Sequence, residues 1–403
     1  MRGEQLQSTE FLKKVFSEFY IRETISINPP SAIERREFGF LSFVEGRMFR
    51  HKRFDSAEEL RSFLENTSVS DAYYSCAYYT DPEAEMEKKG WNGADLIFDI
   101  DADHIPTDCN KIHDEWNCND CGFAGKGITP EKCPVCGGQR FKVNTWPCEI
   151  CLESAKTEAL KLLDMLMTDF GFPEKGIKLF FSGHRGYHVH VEDEAVMMLD
   201  SIARKEIVDY VCGLGIDIAF KGLKDLSINN SGWHGRIARG LYNLILNAKD
   251  YEKIGLRKNV VEILVKNKDI VLNNLENGKG IDVVKGVGSK NWKKIIEFCA
   301  NHQAAKVDTV VTTDIHRLIR LPNTLHSKTG LKKVEVPISN IKNFDPFKSA
   351  VAFKEGTATV FVSDAPEFRL GDEIFGPYKN QKVELPSAAA ALLICKGRAE
   401  VVD

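Results

Sequence analysis

The sequence predicts an α/β (α+β) protein, in which a mixed-sheet domain carries a metal-binding insertion and an inserted helical subdomain. Three observations carry this. The stretch Asp95-Leu-Ile-Phe-Asp99-Ile-Asp101-Ala-Asp103 has the apolar, branched and aromatic residues of a buried strand. Most of the eleven cysteines stand in C-x-x-C pairs, as metal ligands do in an intracellular chain. Residues 193–305 are mostly helical in pattern.

Composition sets the outer bounds. A chain of 403 residues, 43% apolar and 28% charged, suits a soluble globular protein of one large or two to three modest domains. It holds no run of about 18 uncharged apolar residues, so no membrane span is expected. Met1-Arg-Gly-Glu-Gln lacks the apolar core of a signal peptide, and a cytoplasmic location is expected. The net charge of −4 does not advertise nucleic-acid binding, although local patches matter more than the total.

Residues 8–20 place Phe11, Leu12, Val15, Phe16 and Phe19 at helical spacing, the stripe of a packed helix. Pro29-Pro30 ends the next element. Strands are expected at Arg35–Phe40 and Met48–Phe54, joined as a hairpin at Gly46. Arg35, Arg36, Arg50, Lys52 and Arg53 make this the most basic early region, either solvated or facing phosphates. Residues 56–65 read as a short helix, and Tyr73–Tyr79 as a strand leading to the carboxylate strand. There, side chains alternate, so Asp99 and Asp101 share a face. Paired carboxylates repel, and a hard divalent cation such as Mg²⁺ or Mn²⁺ relieves that repulsion. Solvated acids at a strand end are the plainer alternative.

Cys118-x-x-Cys121 and Cys133-x-x-Cys136, eleven residues apart, have the spacing of a zinc ribbon. Cys109-x-x-x-His113 precedes it and Cys148-x-x-Cys151 follows. A ribbon that folds back on itself brings these flanking pairs together as a second, Cys₃His site. The alternative leaves His113 at the surface and Cys148 and Cys151 free or sharing the first metal. Residues 149–170 form an amphipathic helix with Leu152, Ala155, Ala159, Leu160, Leu163 and Leu166 on one side, stopped at Gly171. Ile177–Val191 reads as strand, glycine-flanked turn, strand, with Ser182, Arg185 and His188 able to donate to phosphate oxygens. His188 and His190 share a strand face, as a metal pair or as exposed residues. Helices follow near 197–214, 236–249 and 288–300. The sheet resumes from Val307: Asp308 precedes a β-branched run, and Ile315–Arg320 reads as a helical turn stopped before Pro322. His326, Lys328 and Gly330 follow. Strands are expected near 332–337 and 357–363, and an Ala-rich helix near 387–395.

Three of these blocks, Phe98-Asp-Ile-Asp101, Ser182-Gly-His-Arg-Gly-Tyr-His-Val-His-Val191 and Asp308 to Gly330, together resemble the small, catalytic subunit of archaeal and eukaryotic DNA primases, the archaeal form most of all. The resemblance implies an enzyme, a DNA-directed RNA polymerase of the nucleotidyltransferase class acting in the primosome. It implies that Asp99, Asp101 and Asp308 are catalytic and bind Mg²⁺ or Mn²⁺, Asp314 being a rival to Asp308. It implies that Ser182, His184, Arg185, His188, Arg320 and His326 meet the nucleotide triphosphate, with Arg50 nearby. It also implies a zinc knuckle of Cys109, His113, Cys148 and Cys151; the ribbon of Cys118, Cys121, Cys133 and Cys136 is an addition within it. Implied partners are single-stranded DNA, NTPs with dNTPs as a second nucleotide class, and a large subunit in a heterodimer, with no membrane. The domain plan expected on this basis is 1–104 and 152–192 in the catalytic domain, 105–151 as the zinc insertion, 193–305 as the helical subdomain and 306–403 completing the catalytic domain.

The chemistry implied is attack of a 3′-hydroxyl on an α-phosphate, with two metal ions activating the hydroxyl and steadying the leaving oxygens. No G-x-G-x-x-G follows a strand, so a Rossmann nucleotide fold is not expected. Two other classes compete: a non-catalytic zinc-ribbon module that binds nucleic acid or a partner, and a metal-dependent nuclease using the same acids.

Overall fold

In the computed structural model, which describes residues 2–43, 48–216, 225–247, 251–281 and 284–402, the carboxylate strand is Leu96–Asp101. It is the edge of a four-stranded sheet whose other members, in order, are Gly186–Val191, Ile177–Phe181 and Val334–Glu335. Alternation gives this sheet two characters. Leu96, Phe98 and Ile100 pair with Val191, Val189 and Tyr187, an apolar set that is wholly buried. Ile97, Asp99 and Asp101 pair with His190, His188 and Gly186, so the polar groups gather on the opposite face.

A second four-stranded sheet runs in the order Leu318–Arg320, Val69–Ser75, Phe38–Ser42, Met48–Lys52. It packs on the helix Arg2–Glu23, whose Val15, Phe16 and Phe19 are buried in one core with Phe38, Phe40, Phe54, Leu60 and Leu64. Burying each such side chain contributes about 1.5–3 kcal/mol. Phe40 and Phe63 meet at 4.7 Å and Phe38 and Phe54 edge-on at 5.2 Å, so shape as well as area fixes this core. The helix Ala57–Asn66 begins at Ser56, whose hydroxyl accepts from Glu59 N, while Glu59 reaches back to Asp55 N. The C-terminal segment adds the antiparallel strands Tyr378–Pro386, Thr357–Ala365 and Ala399–Val401 and the helix Ser387–Cys395.

Several expectations are corrected. Among the described residues every strand pair is antiparallel, so the sheets are not mixed in direction; neighbours are joined by tight turns or returned by distant segments, and no βαβ crossover links them. The β-branched run Thr309–Thr313 is helical, because Asp308 caps it by accepting from Val310 N. Conversely, Leu318–Arg320 is a strand, recruited by pairing with Tyr73–Ser75. The Tyr73–Tyr79 strand is broken at Cys76 into Val69–Ser75 and Ala77–Tyr79. Arg36 is neither solvated nor phosphate-facing: it is fully buried, 2.7 Å from Asp95 and stacked over Tyr78. The Gly46 turn and residues 248–249 lie outside the described residues.

The chain divides into two units, Met1–Thr157 with Glu174–Arg204 and Asp308–Asp403, and Glu158–Pro173 with Lys205–Val307. The second is helical: Gly232–Asn247, Lys258–Lys266, Lys268–Asn277 and Ser289–Gln303 bury Trp233, Ile237, Leu241, Trp292, Ile295 and Ile296. Within it Arg236 bridges Asp169 at 2.5 Å and Asp164 at 2.7 Å, and Tyr210 also donates to Asp169. No helix among the described residues is long and apolar enough to cross a membrane.

Candidate active site

Asp99 and Asp101 project from the polar face of the edge strand. The turn after Ile177–Phe181 closes against them through glycines. At Gly186, a Cβ would lie 1.9 Å from Ile100 O, so only glycine lets the two strands approach here. Gly183 has φ +84° and sits against His326 and Leu331. The Ser182 hydroxyl accepts from His184 N and Gly186 N, both at 3.2 Å, leaving its own proton available to a ligand. Asp308 is brought to the strand from more than two hundred residues away: its N–H donates to Asp99 O at 2.8 Å. Asp314, the rival acid, instead accepts from His316 N and belongs to the following turn.

Asp99 senses the other two acids. Burial, then the charges of Asp101 and Asp308, push the Asp99 carboxyl up to about 7, against the opposing pull of Arg317 and Lys333. His188 Nε2 stands 3.5 Å from Asp99 Oδ1. Burial, with Lys333 and Arg320 nearby, holds His188 well below the usual imidazole range, so this is a neutral ring facing a carboxyl rather than an ion pair. His190 is buried too, neither exposed nor in a metal set: it meets Tyr74 OH at 3.2 Å and Lys333 Nζ at 3.4 Å.

The remaining candidates fall into distinct settings. His326 is brought beside the turn, its ring 5.1 Å from that of His184. Its Nδ1 accepts from Lys328 N, which leaves the proton on Nε2. Arg320 is buried and donates to Asp71 at 2.6 Å, to Leu325 O and to Tyr73 OH. Arg50 pairs with the buried Glu37 at 2.9 Å and stays partly exposed. Arg185 turns away from solvent altogether. Its Nη1 reaches Asp103 at 2.6 Å and Asp114 at 2.9 Å, and its Nη2 donates to Cys151 Sγ at 3.1 Å.

That arginine links the acids to the first cysteine set. Asp103 N donates to Asp101 Oδ1, while Asp114 accepts at 2.7 Å from His113 Nδ1 and also from Trp146 N. Cys109, His113, Cys148 and Cys151 form one cluster and Cys118, Cys121, Cys133 and Cys136 another; among the described residues only these sets bring three or more such ligand atoms within 4.8 Å of one another. In the first, Cys109–Cys151 is 3.4 Å, Cys109–Cys148 3.6 Å and His113 Nε2–Cys148 3.2 Å. In the second, Cys118–Cys136 is 3.6 Å and Cys121–Cys133 3.7 Å. A tetrahedral Zn–S₄ centre with bonds of about 2.3 Å has edges near 3.8 Å, so both donor sets fit zinc. His113 offers Nε2 because Asp114 holds Nδ1, the carboxylate–histidine arrangement that orients a ligand. The ribbon strands Glu115–Cys118, Ala124–Lys126 and Phe141–Asn144 bring its two cysteine pairs together.

Sequence reasoning missed Asp103, Asp114, Asp71, Lys333 and Lys396 at this site. Asp103 and Asp114 flank named motifs, but nothing local marks them as partners of Arg185. Lys333 is buried and donates to Arg320 O.

Comparison with known proteins adds an independent finding. A family model described as DNA primase small subunit matches residues 144–339. The chain is similar to the DNA primase small subunit PriS of Methanothrix thermoacetophila, 33% identical across 98% of this chain and 99% of that one. It is 30% identical to PriS of Nitrosopumilus maritimus across 97% and 98%, and 34% identical to PriS of Thermoplasma volcanium across 98% of each.

Proposed function

Because the chain belongs to the DNA primase small-subunit family, we propose that it makes primers by metal-assisted nucleotidyl transfer, with Asp99, Asp101 and Asp308 as the cation ligands. Its enzymatic class is nucleotidyl transfer and its process is primer synthesis in DNA replication. The supporting observation is convergence. Segments around residues 99, 188 and 308 meet at the edge strand, where Asp101 and Asp308 raise the Asp99 carboxyl and, among the described residues, no lysine or arginine stands within 4.0 Å of Asp99.

Mg²⁺ or Mn²⁺, when bound, supplies the charge that activates a 3′-hydroxyl and steadies the departing pyrophosphate. The residues do the rest. Asp99 and Asp101 on the strand and Asp308 at the cap of the helix Thr309–Thr313 would hold the cations. Ser182, His188 and His326 present neutral donors to phosphate oxygens, and Arg320, fixed by Asp71, adds positive potential behind them. Neutral donors suit a site that must also release pyrophosphate. Arg185 acts as a strut in this reading, holding Asp103 and so the end of the carboxylate strand. As the incoming 3′-oxygen bonds to the α-phosphorus, the bond to pyrophosphate breaks. Zinc in the knuckle and in the nested ribbon is structural, since protein supplies four ligands to each. Residues 105–151 are read as the zinc insertion and 193–305 as the helical subdomain of this catalytic chain. Its partners in this reading are a single-stranded template, nucleoside triphosphates and a large subunit.

The test is incorporation of labelled nucleotides on unprimed and primed single-stranded DNA, with Mg²⁺, Mn²⁺ or chelator, beside Asp99→Ala. Metal-dependent product absent from the variant is expected. Nucleotide release from DNA without triphosphate consumption would turn the assignment to a nuclease. Silence on primed template even with the large subunit would leave a binding module.

A further inference from the structure

The helix Ser387–Cys395 ends at Lys396, which caps it by donating its N–H to Leu392 O. The side chain is buried, the residue being 7% exposed. Its Nζ donates to His184 Nε2 at 2.7 Å. That ring is neutral, held well below the usual imidazole range by burial and by Lys396 itself. Hence Nε2 accepts and the ring proton sits on Nδ1.

An ammonium bonded to a neutral imidazole keeps its whole charge uncompensated. Two other buried lysines of this unit have carboxylate partners, Lys89 at 3.3 Å from Glu37 and Lys156 at 2.9 Å from Glu153, while buried Lys333 meets His190 at 3.4 Å and donates to Arg320 O. Among the described residues no carboxylate stands within 4.0 Å of Lys396. Asp103 attracts it from farther away but is already paired with Arg185. Around Lys396 the other charges are largely positive, from Arg185 and Lys328. Burial and these neighbours bring its ammonium down to about 7. Such a charge is costly to bury and becomes favourable only beside an anion. The donors gathered near it are the Lys396 ammonium, the Ser182 hydroxyl and the His326 Nε2–H, with the charge of the exposed Lys328 acting on it as well. They come from three separated segments, and His184 and His326 face each other across 5.1 Å.

We infer that Lys396 is a polyphosphate-binding residue, so that the C-terminal helix forms part of the nucleotide site beside His184 and His326. This rests on the nucleotidyl-transfer reading above. Recognition is of the phosphate chain, independent of base and sugar, because every donor gathered here suits phosphate oxygens.

The test uses the full chain and inorganic tripolyphosphate as probe, bound without added Mg²⁺ or Mn²⁺, together with nucleotide KM and kcat on primed template. Lys396→Met is expected to weaken tripolyphosphate and raise the nucleotide KM by about tenfold or more, the scale of one charge-assisted hydrogen bond. The kcat should change far less, and Lys396→Arg should restore most of the binding. A merely structural lysine would lower the melting temperature and leave KM unmoved. His326→Ala serves as the reference. If it weakens tripolyphosphate while Lys396→Met binds as tightly as the parent chain, the Lys396 inference fails and the nucleotide site stands. If the parent chain incorporates nucleotide but binds no tripolyphosphate, the Lys396 inference fails and the nucleotide reading stands; if it does neither, both fail. Should Lys396→Met not fold, amine labelling of the parent chain decides. Tripolyphosphate should protect Lys396 several-fold by mass spectrometry, and equal labelling with and without it overturns the inference.

Discussion

At the scale of single residues, Asp99 is the most informative group. Burial and two neighbouring acids raise its carboxyl to about 7 in the metal-free chain. Unfolded, an aspartate titrates near 3.9. Between those values the folded chain holds the extra proton, so rising pH lowers stability across roughly pH 4–7, and the penalty is complete above it. Asp99→Asn should therefore raise the melting temperature more at pH 8 than at pH 5, and Mn²⁺ should stabilise the parent chain more at pH 8 than at pH 6. Thermal unfolding across pH reads both; a variant destabilised equally at both pH values would contradict the repulsion argued here. Asp99→Ala or Asp101→Ala should cut nucleotide incorporation by about a thousandfold or more while the chain stays folded, a loss on the scale of a principal electrostatic element. Undiminished activity in either purified variant would remove these residues from the site.

At the scale of elements, the carboxylate strand, the glycine turn and the cysteine insertion are joined through Arg185. The two zinc sets should therefore respond differently. Cys118→Ser should release one zinc, unfold the ribbon locally and leave incorporation within about threefold, since no ribbon cysteine touches Arg185. Cys148→Ser should release the other zinc, lower the melting temperature and cut incorporation about tenfold, because Cys151 and, through Asp114, His113 hold that arginine. Metal content by mass spectrometry and primed incorporation, measured on the same samples, separate the cases, with two zincs per parent chain expected. Elements were legible in sequence where one signal dominated. The Leu96–Asp101 alternation, the cysteine spacing and the stripe of Glu149–Thr168 each specify local structure without outside help. The Asp308–Arg320 segment misled because two local signals lost to context. A single capping carboxylate turned the β-branched run into a helix, and a partner strand near residue 74 made Leu318–Arg320 extended. Lys396 carried no motif at all; its meaning depends on His184, more than two hundred positions earlier. Arg185 read as a phosphate ligand because the turn around it suits phosphate, while the acids that occupy it lie at 103 and 114.

At the scale of the molecule, the helical unit has its own polar lock. Burial alone would raise Asp169, but the bonds from Arg236 and Tyr210 outweigh it and hold its carboxyl below the usual range. That contribution is present above about pH 4 and is lost as pH falls through the depressed value. Arg236→Met leaves Asp169 buried without its partner and should cost about 3–5 kcal/mol. Hydrogen exchange should register the loss in Gly232–Asn247 and Ser289–Gln303, with acid sensitivity reduced; unchanged protection there would show that the bridge contributes little. One further consequence follows from the strand Val69–Ser75, whose neighbours are Phe38–Ser42 on one side and Leu318–Arg320 on the other. A chain growing from the ribosome exposes that strand's second edge for some 240 residues of synthesis before its partner emerges. Asp99 and Asp101 likewise wait for Asp308, and His184 waits for Lys396, the last of these partners to be made. Until Leu318–Arg320 is made the nascent chain offers an open hydrogen-bonding edge, and until Lys396 is made the proposed nucleotide site lacks a member. Truncated products of this chain should accordingly be both inert and prone to strand-edge aggregation.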